Sequence, residues 1–112
     1  MNAEEKYTIA MEVITKAKVE SDKNIVLSIA ECIKNNRFFI EYNEGKMVLF
    51  LTWEDNQIDG KRYIFVNNLW IEPSYRNTNT LTRIRFALKY LLTGVHKFYW
   101  HNRKKQTMIY RS

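Results

Sequence analysis

Asp59-Gly60 is the sequence feature that most constrains the fold, because it lies between two long runs of strand-forming residues. An Asp-Gly pair in this setting is a strong signal for a two-residue hairpin turn. After the pair, residues 61–72 are apolar on both faces except at Asn67 and Asn68, which is typical of a strand covered on both sides. Before the pair, alternation places Met47, Leu49, Leu51 and Trp53 on one face and Val48, Phe50 and Thr52 on the other.

Helices are predicted on both sides of this hairpin along the chain. Residues 3–19, a segment that follows the capping stretch 21–24, and residues 80–92 all have apolar positions at helical spacing. Gly94 is a typical residue to end the third helix. Cys32 is expected to be a small buried residue of the second helix. The predicted inward faces hold Tyr7, Ala10, Val13, Ile14 and Ala17, then Val26, Ile29, Ala30 and Ile33, then Leu81, Ile84, Leu88 and Leu91.

The remaining strands complete the predicted order. One strand precedes a turn at Asn43-Glu44-Gly45, and two more cover residues 95–101 and 106–111. The order is therefore α-α-β-β-β-α-β-β. The helix between the third and fourth strands should return the chain parallel to the third strand. The sequence predicts one α/β (α+β) domain over residues 1–112, with a mixed, mainly antiparallel sheet.

Length and composition exclude several classes of protein. A chain of 112 residues is long enough for one domain, and 46% hydrophobic residues are enough for a core. A single cysteine cannot form an internal disulfide. No apolar run approaches the roughly 18 residues of a membrane span. Glu4 and Glu5 stand where a signal peptide has bases, so a cytoplasmic location and no membrane association are expected.

Charge is divided unevenly along the chain. Residues 1–72 hold 12 acids and 9 bases, a net charge of −3, whereas residues 73–112 hold 9 bases and no acid. This basic C-terminal half predicts a surface that meets an anion, either a phosphorylated cofactor, nucleic acid or an acidic protein surface. The alternative is that it packs against the acidic half of the same chain.

The segment "LWIEPSYRN" carries a resemblance to a known family. Leu69, Ile71, Pro73, Tyr75 and Arg76 match the strand exit of the GCN5-related N-acetyltransferase (GNAT) superfamily, in which two helices precede a β-meander and an amphipathic helix follows it. The resemblance covers most of residues 5–101. It implies a GNAT-like fold and acetyl-CoA as the cofactor. The residues that it implies at the cofactor are Leu69, Ile71, Arg76, Asn77, Thr78, Asn79, Thr80 and Leu81.

This sequence departs from the family in two places. The family's loop glycines correspond to Asn79 and Leu81, and glycines there let backbone amides approach the phosphates. Asn79 tolerates a left-handed conformation, whereas Leu81 either enters the phosphate site or turns into the core. The family also has a helix after the fifth strand, which often brings a tyrosine that protonates the leaving thiolate. Here residues 95–101 run almost directly into the last strand, and neither Tyr99 nor Tyr110 is at an equivalent position.

Each candidate site residue has both a functional and a structural interpretation. Glu72 is the candidate catalytic base by resemblance, but a carboxylate near Arg76 is as easily an ion-pair partner. Bases in the first turn of a helix oppose its dipole, so Arg83 and Arg85 predict an anion there, or two arginines that face solvent or the acidic half of the chain. His96 and His101 have opposite parity on one strand, so no shared metal site is expected. Asn67 and Asn68 are candidates for a cleft hydrogen bond or for pairing with a neighbouring strand.

The C-terminal segment interleaves aromatic and basic residues, which is the composition of single-stranded nucleic-acid binding sites or of an amphipathic terminal hairpin. We interpret the chain as a degenerate GNAT-like protein, non-catalytic, that acts as a binding or regulatory module through its basic half. The alternatives are a minimal acetyl-CoA-dependent N-acetyltransferase and a small nucleic-acid-binding protein. The predicted anion-binding or partner-binding residues are Arg83, Arg85, Lys97, Arg103, Lys104, Lys105 and Arg111.

Overall fold

The computed structural model describes residues 1–76, 79, 82, 84, 86, 88, 89, 92, 94–101 and 107–111, without the side chains of 96, 101 and 107–111. Helix α1 spans Ala3–Ala17 and helix α2 spans Lys23–Lys34. Asn2 and Asp22 cap them by accepting hydrogen bonds from backbone amides three residues later, at 2.8 and 3.2 Å. Among the described residues, no helix is long and apolar enough to cross a membrane.

Five strands form one mixed sheet in the order β1-β2-β3-β4-β5. Neighbouring strands are antiparallel except β3 and β4, which are parallel. A 3₁₀ helix at Pro73–Tyr75 follows β3, and Thr82, Ile84, Phe86, Leu88 and Lys89 have helical backbone before β4. The predicted fold class and element order are confirmed. The strands are β1 Phe38–Asn43, β2 Lys46–Ile58, β3 Lys61–Ile71, β4 Val95–His101 and β5 Thr107–Arg111.

Two tight turns connect the first three strands as predicted. Glu44 and Gly45 have φ of 51° and 76°, and Asp59 and Gly60 have φ of 54° and 75°. Positive φ at both central residues matches the right-handed twist of the paired strands. Gly94, which the sequence predicted to end the third helix, also has a positive φ of 73°. The two turns place β2 between β1 and β3, and the pairing of β3 with β4 makes β3 the central strand of the sheet.

The helices bury slightly different faces than predicted. Ala10, Val13, Ile14, Ile29, Cys32 and Ile33 are buried, which confirms most of the stripe and the prediction for Cys32. Tyr7 was predicted inward but is 67% exposed. The preceding residue, Lys6, faces α2 and donates to the carbonyl of Lys34 at 3.0 Å, so Tyr7 is turned away. Ala30 is also exposed, because Ile29 and Ile33 form the inward stripe. In the third helix Ile84 and Leu88 are buried as predicted, and Leu81 and Leu91 lie outside the described residues.

Two hydrophobic clusters lie on opposite faces of the sheet. Leu51 and Phe50 are neighbours on β2, yet they belong to different clusters, so β2 is buried on both sides. One cluster lies beneath α1 and α2, and the other lies beneath the helical residues Ile84 and Leu88. The sheet therefore has a face that contacts α1 and α2 and a face that contacts the third helix.

Bulges in β2 and β3 change which residues share a face. Val48 is skipped in the pairing, since Glu41 pairs with Leu49 and Tyr42 pairs with Met47. The prediction that Met47 shares a face with Leu49 is therefore wrong, because the extra residue sends Met47 into the cluster beneath α1 and α2. In β3, Asn67 is skipped between the pairs Thr52–Asn68 and Trp53–Val66.

Candidate functional site

The exit of β3 is held by contacts of Glu72, Ser74 and Arg76. The amide of Glu72 donates to the carbonyl of Val48 at 2.9 Å, which fixes the end of the strand. The Glu72 carboxylate accepts hydrogen bonds from the Ser74 hydroxyl and from the Ser74 amide, the latter at 2.8 Å. These hydrogen bonds, with a smaller contribution from the charge of Arg76, lower the pKa of Glu72. Glu72 thus caps the 3₁₀ helix, and its lowered pKa makes it a weaker base.

Arg76 turns back onto the strand that it follows. Its Nε donates to the carbonyl of Ile71 at 2.8 Å, and its backbone amide closes the 3₁₀ helix on Pro73 at 3.2 Å. The Tyr75 hydroxyl contacts the side-chain amide of Asn43, at the end of β1. The Tyr75 and Arg76 side chains of the "LWIEPSYR" segment are therefore held at one end of the sheet, where β1 and β3 both end.

Several predicted site residues can be placed and several cannot. Asn79 lies exposed in a turn, Lys97 is half-buried in β4, and Arg111 belongs to the backbone of β5. Ile71 packs against the cluster beneath the third helix. The predicted residues outside the described part of the chain are Asn77, Thr78, Thr80, Leu81, Arg83, Arg85, Arg103, Lys104 and Lys105.

Strands β3 and β4 pair over only part of their length. Among the described residues, their parallel register runs from Arg62 to Phe65 on β3, whereas β3 continues to Ile71. Leu69 lies on this second stretch and is 43% exposed, although β3 is the central strand. In the described register this second stretch of β3 pairs with β2, which explains how a leucine on the central strand can be exposed.

A polar cluster lies on the other face of β3, the face that contacts α2. The bulge at Asn67 places both asparagine side chains there, and Thr52 joins them from β2. The Thr52 hydroxyl donates to Asn67 Oδ1 at 2.6 Å and accepts from Asn68 Nδ2 at 2.8 Å. Asn68 Nδ2 also donates to Ser28 Oγ at 3.0 Å. Asn67 and Asn68 thus contact one another, the neighbouring strand and α2, so both predicted kinds of contact occur within one network.

A cavity of about 540 Å³ opens beside this polar cluster, between α2 and strands β2 and β3. Cys32 lies at its floor and donates to the carbonyl of Trp53 at 3.5 Å, and Arg37 Nε donates to the same carbonyl at 2.9 Å. Along its wall, Asn67 Nδ2 donates a hydrogen bond to Glu54 Oε1 at 3.4 Å. Within the described part of the chain, no group of three His, Cys, Asp or Glu side chains is placed to hold a metal ion.

The sequence did not predict Ser28, Thr52 or Arg37 as members of this site. Each is a single polar residue within an otherwise ordinary helix or strand, with no motif around it. The contacts of Ser28 and Thr52 with Asn67 depend on the bulge at Asn67, and a single asparagine in a strand does not by itself specify a bulge. The one available signal was the pair of asparagines in an apolar strand, which the sequence analysis gave as candidates for a cleft hydrogen bond or for pairing with a neighbouring strand.

Comparisons with known proteins identify the fold. No family model matches the sequence, and no curated protein matches it significantly. A possible acetyltransferase from Clostridium difficile 630 matches with a TM-score of 0.62 at 12% identity, over 95% of this chain and 78% of that one. Ribosomal-protein-alanine N-acetyltransferase from Brucella melitensis biovar Abortus 2308 matches with a TM-score of 0.60 at 12% identity, over 93% and 78%.

A third solved structure contains a ligand. Aminoglycoside N-acetyltransferase AAC(6')-Iy in complex with CoA matches with a TM-score of 0.58 at 14% identity, over 95% of this chain and 78% of that one. At these identities the likeness concerns the fold. The chain has the GNAT acetyltransferase fold, as the strand exit and the element order predicted.

Replacing Thr52 with valine should destabilise the polar cluster. Thr52→Val keeps the shape of a fully buried side chain but leaves Asn67 and Asn68 each without one hydrogen-bond partner. We expect a loss of about 1–3 kcal/mol in the free energy of unfolding, measured by denaturant titration. The matched control is Thr8→Val, at an exposed helical position, which should change it by less than about 0.5 kcal/mol. Equal effects would show that the buried hydroxyl is not required.

Removing the Ser74 hydroxyl should raise the pKa of Glu72 towards its ordinary value of 4.5. Because the folded-state pKa is the lower one, the stabilisation is complete above pH 4.5 and is lost as the pH falls through the lowered value. Ser74→Ala should therefore narrow the pH range over which this stabilisation is lost. Carbon-13 NMR titration of the Glu72 carboxyl measures the change, with Ser28→Ala as the distant control. An unchanged Glu72 pKa in Ser74→Ala would contradict the capping interpretation.

Proposed function

We propose that this protein is a GNAT-fold binding module that does not transfer acyl groups and that engages an anionic partner through its basic C-terminal half. The observation that carries the proposal is the direct connection of β4 to β5. β4 ends at His101, β5 begins at Thr107, and these two residues are cross-strand partners. Residues 102–106 are therefore the whole connection.

This connection bears on the acid that acyl transfer requires. Transfer to an amine ends with expulsion of the CoA thiolate, which a positioned acid assists. In the family that the strand exit resembles, a helix after the family's fifth strand, which corresponds to β4 here, often supplies that acid. A five-residue connection between paired strands is shorter than the two turns of helix, about seven residues, that could present such a side chain. The described part of the chain supports a fold without this helix.

The candidate base supports the same conclusion. A general base works best when its pKa lies near the operating pH. The Glu72 carboxylate is engaged by Ser74, and its pKa is lowered from an ordinary value that is already acidic. Glu72 is thus better suited to fixing the strand exit than to accepting a proton from an ammonium group.

Charge supports the anionic partner. Residues 73–112 hold 9 bases and no acid. In the register of β4 and β5, Lys97 is directly opposite Arg111. Like charges at directly opposed positions disfavour a hairpin unless an anion compensates them. The segment that holds Arg103, Lys104 and Lys105 begins and ends at the His101–Thr107 pair of the same hairpin.

A second candidate function is a minimal acetyl-CoA-dependent N-acetyltransferase. The end of the described β3–β4 register at Phe65 and the exposure of Leu69 favour it, because both concern the stretch of β3 that leads to Arg76. A protein with the same fold is known in complex with CoA. In this alternative the cofactor contacts would be those that the resemblance implies, Leu69, Ile71, Arg76, Asn77, Thr78, Asn79, Thr80 and Leu81.

An acyl-transfer assay separates the two candidates. In transfer, the amine nitrogen bonds to the acetyl carbon while the carbon–sulfur bond breaks, and CoA leaves with a free thiol. We expect no thiol release above the uncatalysed rate from acetyl-CoA with simple amines or amino-terminal peptides, measured with a thiol reagent. Release in proportion to the protein concentration would overturn the non-catalytic proposal. A rise in melting temperature with acetyl-CoA that Arg76→Ala abolishes and Lys23→Ala preserves would favour the second candidate.

A charge-matched pair of variants tests the anionic partner. Arg103→Gln, Lys104→Gln and Lys105→Gln together should weaken binding to polyglutamate about tenfold, since each of the three lost ion pairs contributes about 0.5 kcal/mol. The control combines Lys18→Gln, Lys23→Gln and Lys34→Gln, which removes the same charge from the acidic half. Fluorescence anisotropy at several salt concentrations measures both. Equal weakening by the two triple variants would mean that net charge acts without a defined basic site.

A further inference from the structure

Helices α1 and α2 cover only part of the sheet face that they contact. The hydrophobic cluster beneath them takes its strand residues from β1, from the first half of β2 and from the end of β3. These residues include Phe38 and Ile40 on β1, Met47 and Phe50 on β2, and Trp70 on β3. The first half of β3 and the described side chains of β4 on this face lie outside that cluster.

Three aromatic side chains occupy the remaining area. Ile64, Val66 and Phe98 are buried beneath the third helix, so alternation places Tyr63, Phe65 and Tyr99 on the opposite face, the one that α1 and α2 partly cover. All three rings are half-buried rather than buried. Phe65 and Tyr99 are direct partners in the parallel register, with ring centroids 4.9 Å apart and planes inclined by 23°.

Basic and amide side chains border these rings. Lys97 lies two residues before Tyr99 on β4, and the exposed Lys61 lies two residues before Tyr63 on β3. Asn56 is opposite Tyr63 in the register, and its Nδ2 donates to the Tyr99 hydroxyl at 3.4 Å. Glu54 of β2 is opposite Phe65 in the register, and together with Glu31 and Asp55 it lines the cavity at the end that adjoins α2.

We propose that this surface, the aromatic face formed by Tyr63, Phe65 and Tyr99 with Lys61 and Lys97, binds single-stranded nucleic acid. Unpaired bases stack on the half-exposed rings, and the phosphates lie along the lysines. The proposal rests on the proposed function, because it names the anionic partner and the place where it binds. Duplex bases are already stacked on each other and would meet the lysines alone.

The choice of nucleic acid over an acidic protein follows from the rings. A carboxylate surface would use the bases of the C-terminal half, but it has no flat group to cover neighbouring half-exposed aromatic side chains. Every nucleobase presents a π face, and stacking on aromatic residues supplies a large part of single-strand affinity. The rings lie on two neighbouring strands, next to Lys97, so base stacking and phosphate contact can occur on one surface.

A comparison of ligands tests the aromatic face without any change to the protein. The full chain is titrated with labelled oligothymidylate, with an abasic strand of equal length and charge, and with polyglutamate. We expect the abasic strand to bind at least about tenfold more weakly than oligothymidylate, because it lacks the stacking groups. Equal affinity for the abasic strand and oligothymidylate would overturn the aromatic face as a base-stacking site.

Protein variants locate the contact. Tyr99→Leu and Tyr63→Leu keep apolar bulk but remove the ring, and each should weaken oligothymidylate binding about tenfold while leaving polyglutamate binding unchanged. The control is Tyr7→Leu, an exposed tyrosine on α1, which should change neither. Lys97→Gln should reduce the slope of log affinity against log salt by about 0.7, and Lys23→Gln should not. Circular dichroism melting shows whether each variant is folded. If a variant does not fold, the comparison of ligands with the unchanged protein still tests whether the aromatic face stacks on bases.

The outcomes separate the two proposals. Salt-sensitive binding of all three ligands with no effect of the tyrosine variants would leave the anionic binding module standing and overturn the aromatic face. If the unchanged protein binds none of the three ligands at low salt, both the anionic binding module and the aromatic face are overturned. Tight oligothymidylate binding that falls with the tyrosine variants supports both.

Discussion

The pairing of β2 with β3 is the interaction on which the rest of the structure depends. β2 is buried on both faces from Met47 to Trp53, and β3 is the central strand of the sheet. A hairpin with two apolar faces cannot be stable in water until both are covered. The chain meets this requirement by placing α1 and α2 before the hairpin and a third helix after it, one layer on each side. The layered α/β architecture follows from this single constraint.

The same arrangement determines where the functional surfaces lie. Two helices are too narrow to cover the whole of one face of a five-stranded sheet, so α1 and α2 leave a cavity at their border and a strip of β3 and β4 beyond it. On the other face, β3 separates from β4 and leaves Leu69 exposed. The two faces of the central strand therefore differ: one borders the cavity next to α2, and the other leaves Leu69 exposed. Our proposals assign the partner to the face that contacts α1 and α2.

The sequence predicted those parts of the structure that local chemistry decides. The turns at Glu44-Gly45 and Asp59-Gly60, the capping by Asp22 and the burial of Cys32 each follow from a few neighbouring residues. The strand exit around Pro73 was predicted from its resemblance to a family, and the fold confirmed it.

What the sequence could not predict depends on register. A bulge adds one residue to a strand and reverses the faces that follow. Val48 is an ordinary strand residue, and Asn67, although unusual in a strand, does not by itself specify a bulge. Met47 was therefore assigned to the wrong face, and the meeting of Asn67, Asn68 and Thr52 was not foreseen. Leu81, which the sequence analysis placed either in the phosphate loop or in the core, lies outside the described residues. The exposure of Tyr7 follows from the rotation of α1 about its axis, which depends on contacts with α2 that no local pattern specifies.

The short parallel register between β3 and β4 has a consequence for the order of folding. The β1–β2 and β2–β3 hairpins join residues close in sequence, whereas β4 reaches Arg62–Phe65 only after the chain has crossed the sheet. Pairing between segments so distant along the chain is slow to form, because the entropy of loop closure is lost before the contacts are made. The stacked pair of Phe65 and Tyr99 spans the junction between β3 and β4. A ligand that covers both rings would bind only when these two strands are paired, and it would therefore stabilise their pairing.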